Sequence, residues 1–174
     1  MFDSSAADDT MVDPAQVTIY RAQFAEVERL AGPRALFVTH RPMWVFGHAG
    51  VQNGQEVLFR SNPNLEAASE NRLPAGVEAV LSGHVHLFEL LGFGQDRPPQ
   101  LVVGNSGTEL DPAVTTPLAG LEIGGATVAV GETLDEFGFA TLDASDGGWT
   151  FRMRALDGDV RVTCEIEGTR VACS

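Results

Sequence analysis

The sequence is poor in positive charge. Eleven basic residues stand against 24 acidic ones, giving a formal net charge of -13 over 174 residues. Binding a nucleic-acid backbone requires clustered Lys and Arg, and no basic run occurs here. A nucleic-acid-binding surface is therefore excluded, and the acidic excess serves solubility. No stretch approaches the ~20 consecutive apolar residues of a membrane-spanning helix, so no membrane span is expected. Met1-Phe2-Asp3-Ser4-Ser5 has neither the basic region nor the apolar segment of a signal peptide. Internal repeats and low-complexity tracts are missing as well.

What remains is the composition of a folded chain, with 44% hydrophobic and 20% charged residues. The length suits one domain with its own core. Nineteen glycines and nine prolines, set between recurring apolar runs, point to many turns and short elements.

Phe2 and Asp3 read as the end of a strand, and the acidic residues Asp8 and Asp9 as a loop. Asp13-Pro14-Ala15-Gln16 is a helix start, with Asp as N-cap, Pro at the first helical position and Gln at the capping-box position. Val17, Tyr20, Phe24, Val27 and Leu30 follow at helical spacing, and Gly32-Pro33 ends the run. Ala35-Leu36-Phe37-Val38-Thr39 is a short apolar run of the kind buried on both faces of a sheet. Residues 43–63 read as a long loop, and residues 64–73 as a short helix. Strands are expected over residues 77–82, 87–91 and 100–103. Residues 137–142, 149–155 and 160–173 alternate between turn signals and should add antiparallel strands to the same sheet.

The two cysteines fall in the last of these segments. If Gly168-Thr169 is a two-residue loop of type II′, Cys164 lies opposite Cys173 at a position without cross-strand hydrogen bonds. There the Cα atoms are about 4.5 Å apart, within disulfide range. If the loop is Glu167-Gly168, Cys164 faces Val171 and the two remain small buried thiols. A disulfide would place the chain in a periplasmic or secreted setting, and reduced thiols would suit the cytoplasm.

The histidines carry the chemistry. His84 and His86 flank Val85 after a glycine, and in extended backbone residues two apart point to the same side. Gly83 permits a backbone bend. His40 ends another apolar strand, the place where open α/β sheets hold ligands. Imidazole is the commonest nitrogen ligand of metals. His48 lies in the following loop, either as a plain loop residue or within reach of a substrate phosphate or a metal. Trp44 reads as packing or as a lip of the cleft, and Asn105 as a turn residue.

Thr39-His40-Arg41-Pro42, Ser82-Gly83-His84-Val85-His86 and Gly104-Asn105-Ser106-Gly107, in this order and spacing, resemble the carboxyl-terminal half of the calcineurin-like metallophosphoesterases. The resemblance implies an α/β fold, half of a four-layer α/β/β/α sandwich with an antiparallel strand-rich tail. Residues 1–174 would form a single partial domain, with residues 1–110 as its α/β part and residues 135–174 as terminal hairpins. It further implies two divalent metals such as Fe, Mn or Zn, with His40 and His84 on one and His86 on the other. In that family a metal-bound hydroxide attacks a phosphate ester substrate and a further histidine protonates the leaving group.

The departures from the family pattern are large. Asp-x-His, Gly-Asp-x-x-Asp and Gly-Asn-His followed by an acid do not occur. The anionic bridge that offsets repulsion between two close cations is therefore lacking. At most one metal is expected, for example a zinc on three histidines with an open position for water. Three arrangements follow from this: part of a longer phosphoesterase, a noncatalytic metal-binding or interaction module, or one half of a split enzyme. Half of a two-sheet domain should expose an apolar sheet face, which a complementary amino-terminal half or self-association would cover.

Overall fold

A computed structural model describes residues 2–6, 10–60, 62–94, 97–107 and 109–174. Asp8 and Asp9, read as a loop, lie outside the described residues. Helix α1 (Pro14–Leu30) starts at its expected cap, where the Asp13 carboxylate accepts from Ala15 N. It buries Val17, Tyr20 and Phe24 on one face. There follow β1 (Ala35–Val38), β2 (Phe46–Gln52), β3 (Gln55–Arg60), α2 (Pro63–Ser69), β4 (Val77–Ser82), β5 (Phe88–Gly92) and β6 (Gln100–Val103). The remainder is strand: β7 (Glu122–Ile123), β8 (Ala126–Thr127), β9 (Val130–Leu134), β10 (Gly138–Ala144), β11 (Trp149–Ala155), β12 (Val160–Glu167) and β13 (Arg170–Cys173).

Five strands form the first sheet in the order β1-β4-β6-β5-β9. β4 runs parallel to both β1 and β6, whereas β5 is antiparallel to β6 and β9. One face of this sheet packs Phe37, Val80 and Leu91 against Tyr20 and Phe24 of α1 and Leu65 of α2. The opposite face packs Ala79, Phe88, Leu90 and Leu101 against Phe151, Met153, Val162 and Ile166 of a second sheet. That alternation of Leu90 and Leu91 between two cores is the period of two expected of a strand covered on both faces. Phe88 and Phe151 stack across the sheet interface at 5.6 Å, and full burial of such a side chain is worth about 1.5–3 kcal/mol. The layers run α, β, β, the mixed α/β class with an antiparallel strand-rich tail.

Several expectations are corrected. The terminal strands do not extend the first sheet; β10-β11-β12-β13 form their own antiparallel sheet, and β9 alone joins β5. Residues 43–63 are not a plain loop, because they hold the β2–β3 hairpin. The outward face of the second sheet is mixed: Thr150 is bonded to Glu165 and Arg152 to Asp143, and Phe139 is exposed on the same face. The anticipated apolar sheet face is thus found only in part, at Phe139. Apolar side chains are also exposed beside the edge strand β1, where Leu30 and Val38 border a hollow that Phe2 and Leu36 also line.

Arg34 ties the two sheets together. Its guanidinium donates to the Ser145 and Gly148 carbonyls, lies over Trp149, and sits 3.5 Å from Glu78, which accepts from Trp149 Nε1. In the last hairpin Glu167 pairs with Arg170, so the loop is Gly168-Thr169 and Cys164 faces Cys173. Gly168 has φ 59°, as the first central residue of a type II′ turn requires. The disulfide Cys164–Cys173 is formed, with Cα atoms 4.1 Å apart. No helix among the described residues is long and apolar enough to cross a membrane.

Candidate functional site

Two parallel strands bring the first pair of histidines together. β1 and β4 are in register at Val38 and Leu81. The ladder continues past both strands, with Thr39 N donating to Leu81 O and Gly83 N to His40 O. His40 and His84 therefore leave the sheet side by side, with His84 Nδ1 3.2 Å from His40 Nε2. Their rings meet edge to face at 5.0 Å between centroids. Arg41 Nη1 lies 2.8 Å from His84 Nε2.

These contacts fix the tautomers. A guanidinium is always protonated and only donates, so His84 Nε2 is an acceptor. The ring proton of His84 is then on Nδ1 and is donated to His40 Nε2, which leaves the His40 proton on Nδ1. His84 holds this position at φ 70°, in the left-handed region. That conformation is sparsely populated by residues with a side chain. The bend expected at Gly83 is thus taken by His84 itself.

Among the described residues, His86 does not join these two in a group of three potential metal ligands. Because the backbone turns at His84, the extended alternation that would align His84 with His86 is broken. The His86 amide donates instead to Asp111 Oδ2 at 2.8 Å, and Asp111 N donates back to His86 O. A cavity of about 200 Å³ opens beside His84, lined by Pro42, Val45, Phe59, Asn62, Val85 and Asp111. His48 belongs to a different cluster. Its Nδ1 contacts Glu56 Oε1 at 2.9 Å, and Glu56 also accepts from the amides and hydroxyls of Thr115 and Thr116. Burial pushes the Glu56 carboxyl up, but His48 and the threonine donors outweigh it and hold the group far below the usual carboxylate range.

Buried polar side chains hold the framework behind the site, and the sequence reading missed them. Gln100 Oε1 accepts from Met43 N and Trp44 N, while its amide donates to Ser82 Oγ. Glu89 accepts from Phe46 N at 3.0 Å. These three backbone donors anchor the segment after His40-Arg41-Pro42 to β6 and β5. Gly104 approaches the histidine loop so closely that an added Cβ would fall 1.9 Å from Val85 O. Trp44 is fully buried, bonded to Asn71 and stacked against Arg97, which settles its role as packing. Asn105 is buried and joins the two sheets through Glu136 O and Gly138 N. Asp3 turns to Ser5, whose hydroxyl and amide lower its pKa ahead of a smaller effect of His40.

The ring nitrogens suit zinc, iron or manganese chemically, but their arrangement does not. Both nitrogens of His84 are engaged, by Arg41 and by His40. Among the described residues no three potential ligands gather in one place. A dication on His84 would also face the guanidinium at a few ångströms, a repulsion of about 8 kcal/mol at 4 Å and an effective dielectric near 20. As arranged, these residues do not fit a divalent metal.

No protein-family model matches the sequence, and no curated protein matches it. The fold does have relatives among solved structures. One is purple acid phosphatase PPD1 from yellow lupin (Lupinus luteus) seeds, with a TM-score of 0.53 and 20% identity over 83% of this chain and 27% of that one. Another is GAP50, the anchor in the inner membrane complex of Plasmodium, with a TM-score of 0.52 and 12% identity over 97% of this chain and 48% of that one. The chain thus spans between about a quarter and a half of these proteins. At such identities the likeness is one of fold, and that fold is the purple acid phosphatase type.

Proposed function

We propose that the chain is the carboxyl-terminal part of a phosphoesterase domain, which serves phosphate-ester hydrolysis only together with a complementary segment. The observation that carries this reading is the meeting of His40 and His84, 44 residues apart in sequence, at the carboxyl ends of adjacent parallel strands. In open α/β sheets that is where ligands bind, and the fold is shared with a phosphatase. The cluster presents donors that suit a phosphoryl group, while the acidic ligands of a complete site are not in the sequence. Divalent ions such as Fe, Mn or Zn belong to the completed arrangement. His86, and His48 with it, would enter the site only with that rearrangement. The Cys164–Cys173 disulfide supports an oxidising compartment, periplasmic or extracellular.

The purified chain should show no turnover of p-nitrophenyl phosphate or its bis-ester in chelator, manganese, zinc or iron. Turnover by the chain alone, abolished by chelator and restored by manganese or zinc, would overturn the proposal. Sequencing the DNA upstream of the Met1 codon separates one polypeptide from two. An in-frame Asp-x-His and Gly-Asp-x-x-Asp coding region there supports a single longer enzyme, and its absence leaves the split form.

A second reading, a noncatalytic interaction module, is favoured by the engagement of both His84 nitrogens within the chain. The fold shared with a protein described as an anchor agrees with it. This reading predicts no activity even when the complementary segment is added.

A further inference from the structure

We propose that the cavity beside His84 is a binding site for a small quaternary ammonium ion, held between the ring of Phe59 and the carboxylate of Asp111. That such a cation would be the alcohol part of a phosphate ester rests on the phosphoesterase reading above; the site itself rests on its lining.

Phe59 stands in β3 opposite Gly47 of β2. Its ring lies so close over that glycine that an added Cβ would fall 1.9 Å from it. One side of the ring is therefore seated on its own hairpin, yet Phe59 is 40% exposed and lines the cavity. The negative face of such a ring attracts cations. Asp111 supplies the charge. Its Oδ2 accepts from His86 N and its own amide donates to His86 O, which clamps it to the histidine loop. Among the described residues, Asp111 Oδ1 takes no hydrogen bond. Pro42, Val45 and Val85 form the apolar walls, which suit the methyl groups of a quaternary ion better than a hydrated ammonium. Asn62 and His84 complete the lining. Asn62 Oδ1 is occupied by Asn64 N and Leu65 N, and both His84 nitrogens are engaged. Arg41 contacts His84 but does not line the cavity. An anion would thus meet the Asp111 carboxylate, whereas a cation gains from it, and the net charge of -13 draws cations to the chain. The volume of about 200 Å³ equals roughly seven waters at ~30 Å³ each, room for an ion of the size of choline.

Chemical-shift titration of the full, isotope-labelled chain with choline chloride, against sodium chloride at equal ionic strength, tests this. Choline should shift the amides of Val45, Phe59, Val85 and Asp111 and saturate with a millimolar Kd, as one aromatic face and one exposed carboxylate allow. Its uncharged tert-butyl analogue, with carbon in place of the ammonium nitrogen, should bind at least about threefold more weakly. Phe59→Leu keeps an apolar side chain without the ring and should weaken choline about threefold or more. Asp111→Asn still accepts from His86 N and should weaken it about twofold to fivefold. Circular dichroism and melting of both variants confirm that each is folded. The comparison of choline with its uncharged analogue needs no variant. Shifts spread over the acidic surface without saturation, equal affinity for the uncharged analogue, or affinity unchanged in either variant would each overturn the proposal. Because only binding is read, a failure of the chain and its complementary segment to hydrolyse any ester would sink the phosphoesterase reading and leave this site standing.

Discussion

Glu89 gives the sharpest stability prediction. It is fully buried in β5, and Phe46 N donates to its Oε1 at 3.0 Å. Burial pushes its carboxyl up to about 8, against the opposing pull of the Phe46 amide. The folded chain therefore keeps a proton on Glu89 at neutral pH that the unfolded chain, with an ordinary pKa near 4.5, has released. Between those two values the folded state binds more protons, so stability falls as pH rises, at about 1.4 kcal/mol per unit. The loss levels off above about pH 8. Between pH 5 and pH 8 it amounts to about 3–4 kcal/mol. Glu89→Gln retains an oxygen to accept from Phe46 N and cannot ionise. Its Tm should lie close to that of the natural chain at pH 5 and rise above it by on the order of 10 °C at pH 8, given the usual shift per kcal/mol for this size. Taking the difference between the two proteins cancels the pH response of every other group. A gap that stays constant from pH 5 to pH 8 would show that Glu89 does not hold its proton in the folded state.

Glu56→Gln should cost about 2 kcal/mol at pH 7 in urea unfolding, since it weakens charge-assisted bonds that join β3 to residues 115 and 116. Because the Glu56 pKa is depressed by folding, this contribution is present above the ordinary carboxylate pKa and is lost as pH falls towards the folded value. The gap between natural chain and variant should therefore shrink below about pH 4.5, and a gap that widens would contradict the assignment. Gly104→Ala should destabilise by about 3 kcal/mol, because its Cβ meets the Val85 carbonyl rather than a movable side chain. Unchanged chemical denaturation would refute the close approach. Reduction of Cys164–Cys173, which spans nine residues, should lower stability by about 2–3 kcal/mol from loop entropy, read as a drop in Tm with reductant.

How much of this was legible in the sequence varied with the kind of interaction that decides each element. α1 was readable because cap, proline and apolar spacing are local signals that agree. The final hairpin was readable because its turn chemistry fixes register, so the Cys164–Cys173 alternative with Gly168-Thr169 as loop could be stated beforehand. The β2–β3 hairpin was missed although Asn53-Gly54 marks its turn, with φ of 53° and 76°. Its strands carry Gly47, Gly50 and exposed glutamines, so apolar alternation is weak there. Which sheet a strand joins is a tertiary matter: Val130–Leu134 pairs with β5 and the following strands do not. Nothing local separates those cases.

The site shows the same division. That His40 and His84 stand at strand ends followed from the apolar runs before them, and their contact is what a parallel β1–β4 pair produces. The departure came from Arg41, to which the sequence assigned no role of its own. A spacer in extended backbone would point away from its neighbours' side, but the chain leaves β1 at Thr39 and the guanidinium reaches across to the next strand's loop. That contact occupies the ring nitrogen of His84 that faces Arg41. A complementary segment would meet this cluster from the β1 edge of the sheet, where His40 is exposed. To install a dication it must first bring carboxylates that draw the guanidinium off His84 Nε2. Binding of the segment and of the metal would then be coupled, each strengthening the other by the same factor.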